Sequence, residues 1–154
     1  EAAIWTIPSS KMKRTVQEKA DGESHVVPLP TQAIALLKGL QLVTGHGRYV
    51  FPSERSHDRP ISDNTVRSAL YAIGFGEEQK PHAFRAVART MLVDELGLDP
   101  LMIEANLAHG ARDRLGKSYN RTQYLKQRFE MVQQWADYLD KLTAGADVIN
   151  FKRA

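Results

Sequence analysis

Apolar residues recur at helical spacing through most of the chain and at strand-like spacing only near its front. Ile4-Trp-Thr-Ile7 alternates and is rich in β-formers, and His25-Val-Val-Pro-Leu29 is a second short run of the same kind. Between them Ser9 to Ser24 is polar and charged, with Asp21-Gly22 as its clearest turn signal. The pattern predicts a hairpin or edge ribbon carrying a long basic loop. Pro28 and Pro30 should keep its second strand short and at an edge, because proline cannot donate to a ladder.

Helical spacing takes over from Thr31. That residue is expected to cap a helix to about Thr44, with Ala33, Ile34, Leu36, Leu37, Leu40 and Val43 on one face and Gly45 and Gly47 ending it. Tyr49-Val-Phe-Pro52 reads as a short buried segment, followed by a polar loop through Arg59-Pro60. Ser62 is expected to cap a helix through about Ile73, with Val66, Ala69, Leu70 and Ile73 inward. Pro81 suits a first helical turn, and Phe84, Val87, Ala88, Met91 and Leu92 predict a helix over 82–96 closed by Gly97. Asp99-Pro100 caps and starts the next helix, which carries Leu101, Ile103, Glu104 and Leu107. A long last helix is predicted from Leu115 or Thr122 to Leu142, with Leu125, Phe129, Val132, Ala136 and Leu139 on one side. The fold class is therefore α+β and mainly helical, with a small antiparallel sheet near the N-terminus packed on a helical core.

Composition narrows what such a domain can be. The 154 residues fit one domain, and 42% hydrophobic with 25% charged residues is ordinary for a soluble globular chain. No run approaches the roughly 18 apolar residues of a membrane span, and no signal peptide pattern opens the chain. With no cysteine there is no disulfide, thiol nucleophile or thiolate metal site, which suits a reducing cytoplasm. The first residues, Glu1-Ala-Ala-Ile-Trp, lie beside a strand without an initiator methionine, so the chain is read as a piece of something longer.

The net charge of +3 is mild, but its distribution is uneven. Lys11, Lys13 and Arg14 group early, and Arg112, Arg114, Lys117, Arg121, Lys126 and Arg128 group around Tyr119. Grouped cations attract a polyphosphate backbone, although a solvated helix face gives the same pattern. His82-Ala-Phe-Arg85 sets two polar residues one turn apart at a helix start, where the macrodipole favours an anion. A guanidinium grips two phosphate oxygens and an imidazole can move a proton near neutral pH. His109 ends another helix next to Gly110, and Tyr119 follows in the most basic stretch.

A tyrosine among arginines and histidines, without a carboxylate group nearby, suits nucleophilic attack on phosphorus rather than acid–base work on sugars. Five histidines are present, yet none forms an HExxH or an i, i+4 pair, so neither a metal nor another cofactor is expected. The same residues have plainer explanations: an HxxR is often structural, a histidine before glycine is often a helix cap, and a tyrosine is often packed. Composition and spacing alone give a basic, mainly helical domain suited to nucleic acid.

The order of these segments resembles the catalytic domain of tyrosine recombinases, the phage integrase family. Trp5-Thr-Ile-Pro8, Lys13 in a hairpin loop and His25-Val-Val-Pro-Leu29 are similar to that family's three-stranded region with its loop lysine. His82-Ala-Phe-Arg85 matches its H-x-x-R box, and Leu107-Ala-His109 looks like its L-G-H box with alanine in place of glycine. Tyr119-Asn-Arg121 and Trp135-Ala-Asp-Tyr-Leu139 resemble the nucleophile segment and downstream helix of prophage and genomic-island integrases.

The resemblance implies that residues 1–154 are a C-terminal catalytic domain, with Tyr119 as nucleophile and Arg85 binding phosphate. His82 would be the acid–base partner, His109 a phosphate hydrogen-bond donor, and Lys13 the general acid for the leaving 5′-hydroxyl, with Lys11 on the same loop as its competitor. It implies further that the family's other arginine and its core-binding domain lie ahead of Glu1, so that this piece is inactive alone. Double-stranded DNA at an attachment site would be the partner, engaged by a homotetramer on the bacterial nucleoid, with the piece itself monomeric and no membrane involved. A non-catalytic DNA-binding module of the same fold, and a nicking and closing enzyme using the same chemistry, are the competing readings. The expectation open to a structural check is that His82, Arg85 and His109 converge within reach of the Lys13 loop.

Overall fold

The computed structural model describes residues 3–13, 15–108 and 124–145. Strand β1 (Ile4–Ile7) pairs antiparallel with β2 (His25–Pro28), in the register Ile4 to Pro28, Trp5 to Val27, Thr6 to Val26 and Ile7 to His25. The ladder continues for one bond, Leu29 N–H to the Ala3 carbonyl at 3.0 Å, and stops as Pro30 turns the chain. The connection is not the open loop expected from its polarity. It holds a 3-10 turn at Ser9–Lys11 and helix α1 (Val16–Asp21), braced together by the Ser9 hydroxyl donating to the Lys19 carbonyl at 2.9 Å. One turn and a half of polar helix leaves too little apolar periodicity to be read from sequence.

Helix α2 runs Thr31–Thr44 as expected, but Pro30 occupies the cap and Thr31 is the first helical residue. The Thr31 amide, which has no intrahelical partner, is satisfied instead by the Gln133 side chain at 3.0 Å. The inward faces expected along this part of the chain are corrected. Leu36, Leu37 and Val43, expected inside, are exposed, and Leu42 is 89% exposed. Val50 and Phe51 are likewise exposed, and the loop after them is a second antiparallel hairpin, β3 (Pro52–Ser53) with β4 (Ser56–Pro60). Two prolines and a two-residue strand hide that hairpin from any alternation test. In α3 (Thr65–Ala72) only Leu70 is buried; Val66 and Ile73 are not, and the Ser62 hydroxyl meets that of Thr65 rather than the helix cap.

The core sits where α4 (Ala83–Asp94), α5 (Pro100–Asn106) and α6 (Leu125–Gly145) meet. Leu92, Met102, Ile103 and Met131 form its centre, with Val93, Leu96, Leu98, Leu107, Tyr124, Val132 and Trp135 packed around them. Ile103 retains 1% exposure. Phe84 and Val87, on the first two turns of α4, stay exposed, so the inward face of that helix begins later than its periodicity suggests. Gly97, at φ +61°, lets the chain leave α4 in the left-handed region, and its amide returns to the Val93 carbonyl at 3.0 Å. Asp99 then caps α5 as expected, its Oδ1 accepting from the Leu101 amide at 2.8 Å with Pro100 in the first turn. Among the described residues the architecture is α+β and mainly helical, with two small antiparallel sheets.

Candidate functional site

His82 and Arg85 stand at the start of α4, where the Arg85 amide bonds the His82 carbonyl at 3.2 Å. Both side chains are exposed. Arg85 reaches across to α5, and its Nη2 donates to the Leu107 carbonyl at 2.6 Å. That carbonyl belongs to the last turn of α5, where helix C-terminal oxygens lack intrahelical donors and carry partial negative charge. The bond uses one arm of the guanidinium and fixes the plane of the rest, which still offers other N–H groups to an anion.

The end of α5 has two further anchors. His25 on β2 places its Nε2 3.1 Å from the Asn106 carbonyl, where it must carry the proton to donate. The Asn106 side chain accepts from Arg128 Nε of α6 at 3.1 Å, and Arg128 Nη2 also donates to the Val26 carbonyl on β2. Arg128 is 2% exposed. Desolvation holds its guanidinium below the ordinary arginine value, yet the group remains a cation at neutral pH. The reading of Arg128 as part of a basic patch for polyphosphate is therefore corrected: both its recorded bonds point into the fold. One more link joins α4 to α5, the Arg89–Glu104 ion pair at 2.5 Å.

Immediately past these anchors Ala108 adopts φ +56°, in the left-handed region that a Cβ disfavours. A glycine would adopt that conformation without the Cβ penalty. His109 itself, with Arg112, Arg114, Lys117, Tyr119 and Arg121, lies outside the described residues, as does Arg14. The structure thus brings Arg85 to the carbonyl two residues before His109, and sets His82 one turn from Arg85.

Lys11 closes the 3-10 turn and Lys13 follows in the bend before α1, both exposed. They ride on the hairpin whose other strand supplies His25 and Val26 to the α5 end. Two surface grooves lie elsewhere. One is lined by Leu98, Met102, Tyr124 and Glu130, the other by Ile34, Leu37, Lys38 and Tyr49, and neither includes Lys13, His82 or Arg85. Among the described residues no three His, Asp or Glu side chains gather as a metal would need, and no helix is long and apolar enough to cross a membrane.

Sequence missed the roles of His25, Asn106 and Arg128. An asparagine directly before the L-A-H segment was the available signal, since a short amide at a helix end commonly ties that end to something. The chain is 35% identical over 148 residues to prophage integrase IntA of Escherichia coli K12, covering 96% of this chain and 34% of the relative. It is 34% identical to the integrase of Enterobacteria phage P4, covering 91% of this chain and 34% of that protein. Prophage integrase IntZ of Escherichia coli K12 is 36% identical over 145 residues, 94% of this chain and 34% of the relative. The chain thus spans about a third of the length of the curated relatives it matches. No protein-family model matches the chain, and no solved structure does.

Proposed function

Because the chain belongs to the phage integrase family, we propose that it is the catalytic domain of a tyrosine recombinase that integrates or excises a prophage or mobile element. The observation that carries the reading is the match to named integrases along nearly the whole chain, together with the docking of Arg85 beside the segment leading to His109. The fold would be that of the recombinase catalytic domain, a hairpin with a basic loop ahead of a helical core. Double-stranded attachment-site DNA would be the substrate, bound by a synaptic tetramer in the bacterial cytoplasm.

In this scheme the Tyr119 oxygen attacks the scissile phosphorus, forming a 3′-phosphotyrosine as the bond to the 5′-oxygen breaks. The phenol, with an ordinary pKa near 10, must lose its proton as it attacks, and neighbouring cations favour that loss. Arg85, with its plane held by the Leu107 carbonyl, meets the charge that builds on the non-bridging oxygens, and His109 donates to them. His82 handles protons one turn away from Arg85. Lys13, or Lys11 beside it, gives a proton to the departing 5′-oxygen. Attack by a 5′-hydroxyl of the partner strand reverses each step, frees the tyrosine and restores a phosphodiester.

The test uses the complete protein, since the relatives are about three times as long as this chain. Incubation with a nicked suicide duplex should trap a covalent protein–DNA adduct, and Tyr119→Phe should abolish it. An adduct that persists in Tyr119→Phe overturns the assignment of the nucleophile. Salt-sensitive binding with no cleavage by the wild-type protein would favour the non-catalytic DNA-binding module.

A further inference from the structure

Arg128 is the one buried charge among the described residues, and its bonds reach unusually far. Its Nη2 donates to Val26, 102 residues away on β2, and its Nε donates to Asn106, 22 residues away at the end of α5. His25, the neighbour of Val26, holds the backbone carbonyl of the same asparagine. A hairpin, a helix terminus and the final helix therefore meet at one guanidinium. Each of the three adjoins a segment with a residue in the proposed chemistry. The hairpin loop carries Lys13, the α5 end leads through Ala108 to His109, and α6 follows Tyr119.

Stability alone does not account for an arginine here. Burying a guanidinium costs desolvation, and well-packed apolar residues commonly replace buried charges without loss. A rigid planar fork supplies direction instead: it fixes β2 and α5 at a set angle to α6, which apolar contact does not. We propose that Arg128 is a positioning residue for strand cleavage, registering the end of α5 against the hairpin and α6, the three elements next in sequence to His109, Lys13 and Tyr119. This rests on the recombinase reading above.

The experiment compares wild type, Arg128→Lys, Asn106→Ala and the double variant in the complete protein. Covalent adduct formation on a suicide duplex is timed in a single turnover, and duplex affinity and melting temperature are measured separately. Arg128→Lys keeps the charge and loses the fork. It should slow adduct formation by about 100-fold, the scale of a misplacement of an ångström, while duplex affinity stays at the wild-type value. Asn106→Ala should slow it comparably, and the double variant should be no slower than Arg128→Lys, because both break one linkage. In histidine-labelled protein the His109 imidazole signal should move in both single variants while those of His46 and His57 stay.

A wild-type rate in Arg128→Lys overturns the proposal. So does a parallel fall of rate, affinity and melting temperature, which would mark Arg128 as a structural residue only. If Arg128→Lys does not fold, Asn106→Ala decides alone, since it leaves the bond to Val26. Failure of the wild-type protein to form any adduct defeats the strand-transfer reading and this proposal with it. A wild-type adduct with an unaffected Arg128→Lys defeats the positioning role and leaves that reading intact.

Discussion

Replacing Ala108 by glycine should stabilise the protein, against the usual direction of such a change. Ala108 sits at φ +56° directly after α5, where a Cβ crowds the following carbonyl. An L-residue held in that region costs about 1–2 kcal/mol. Glycine removes that strain but gives the unfolded chain more freedom, which costs about 0.4–1 kcal/mol. The difference leaves a gain of about 0.5–1 kcal/mol. For a chain of this size each kcal/mol moves the melting temperature by about 2–4 °C, so a rise of about 1–4 °C is expected. Urea unfolding should show a higher midpoint with an unchanged slope, because removing one methyl group hardly alters the surface exposed on unfolding. Ala108→Val supplies the opposite arm, since a β-branched residue tolerates the left-handed region worst. A glycine variant less stable than the parent, or a valine variant equal to it, would refute the strain argument.

Two further outcomes can be measured on the same scale. Ile103→Ala should cost about 2–5 kcal/mol in equilibrium unfolding through the cavity it opens, whereas Leu101→Ala, two positions away and 57% exposed, should cost less than about 0.5 kcal/mol. Asp137 accepts from Gln32 and Gln133 at 2.8 Å each, and these donors, Gln32 foremost, hold its carboxyl below the ordinary value. A depressed folded pKa means the contribution is present above the unfolded value, about 3.9, and is lost as pH falls through the folded one. Below about pH 4 the wild type should therefore lose stability more steeply than Asp137→Asn, and parallel acid profiles would contradict the assignment.

Local chemistry was legible in the sequence, and distant geometry was not. The Asp99-Pro100 start of α5 depends on a side chain and an amide two residues apart, so it could be read directly and stands as expected. The apolar spacing of α4 likewise marked a helix, but spacing cannot say which turns meet a partner, and Phe84 and Val87 remain in solvent. Arg128 shows the limit most clearly. In sequence it is one more cation in a basic run, and only the arrival of β2 and the α5 end makes it a buried connector. The conformation of Ala108 leaves no trace in an alanine; only the glycine of the resembled family hinted at it. Arg85 was singled out for its chemistry, and its hold on the Leu107 carbonyl is a fact of tertiary packing that periodicity does not encode.

The span between Val26 and Arg128 also sets an order of events during synthesis. A ribosome adding about 5–20 residues per second makes the hairpin first and the guanidinium that locks it 102 residues later. The end of α5 precedes Arg128 by 22 residues, so for about 1–4 s at that rate it is held by His25 and by α4 while α6 has yet to emerge. A nascent chain therefore carries the hairpin and the end of α5 without their shared connector, and the two are joined to α6 only once translation has run past Arg128.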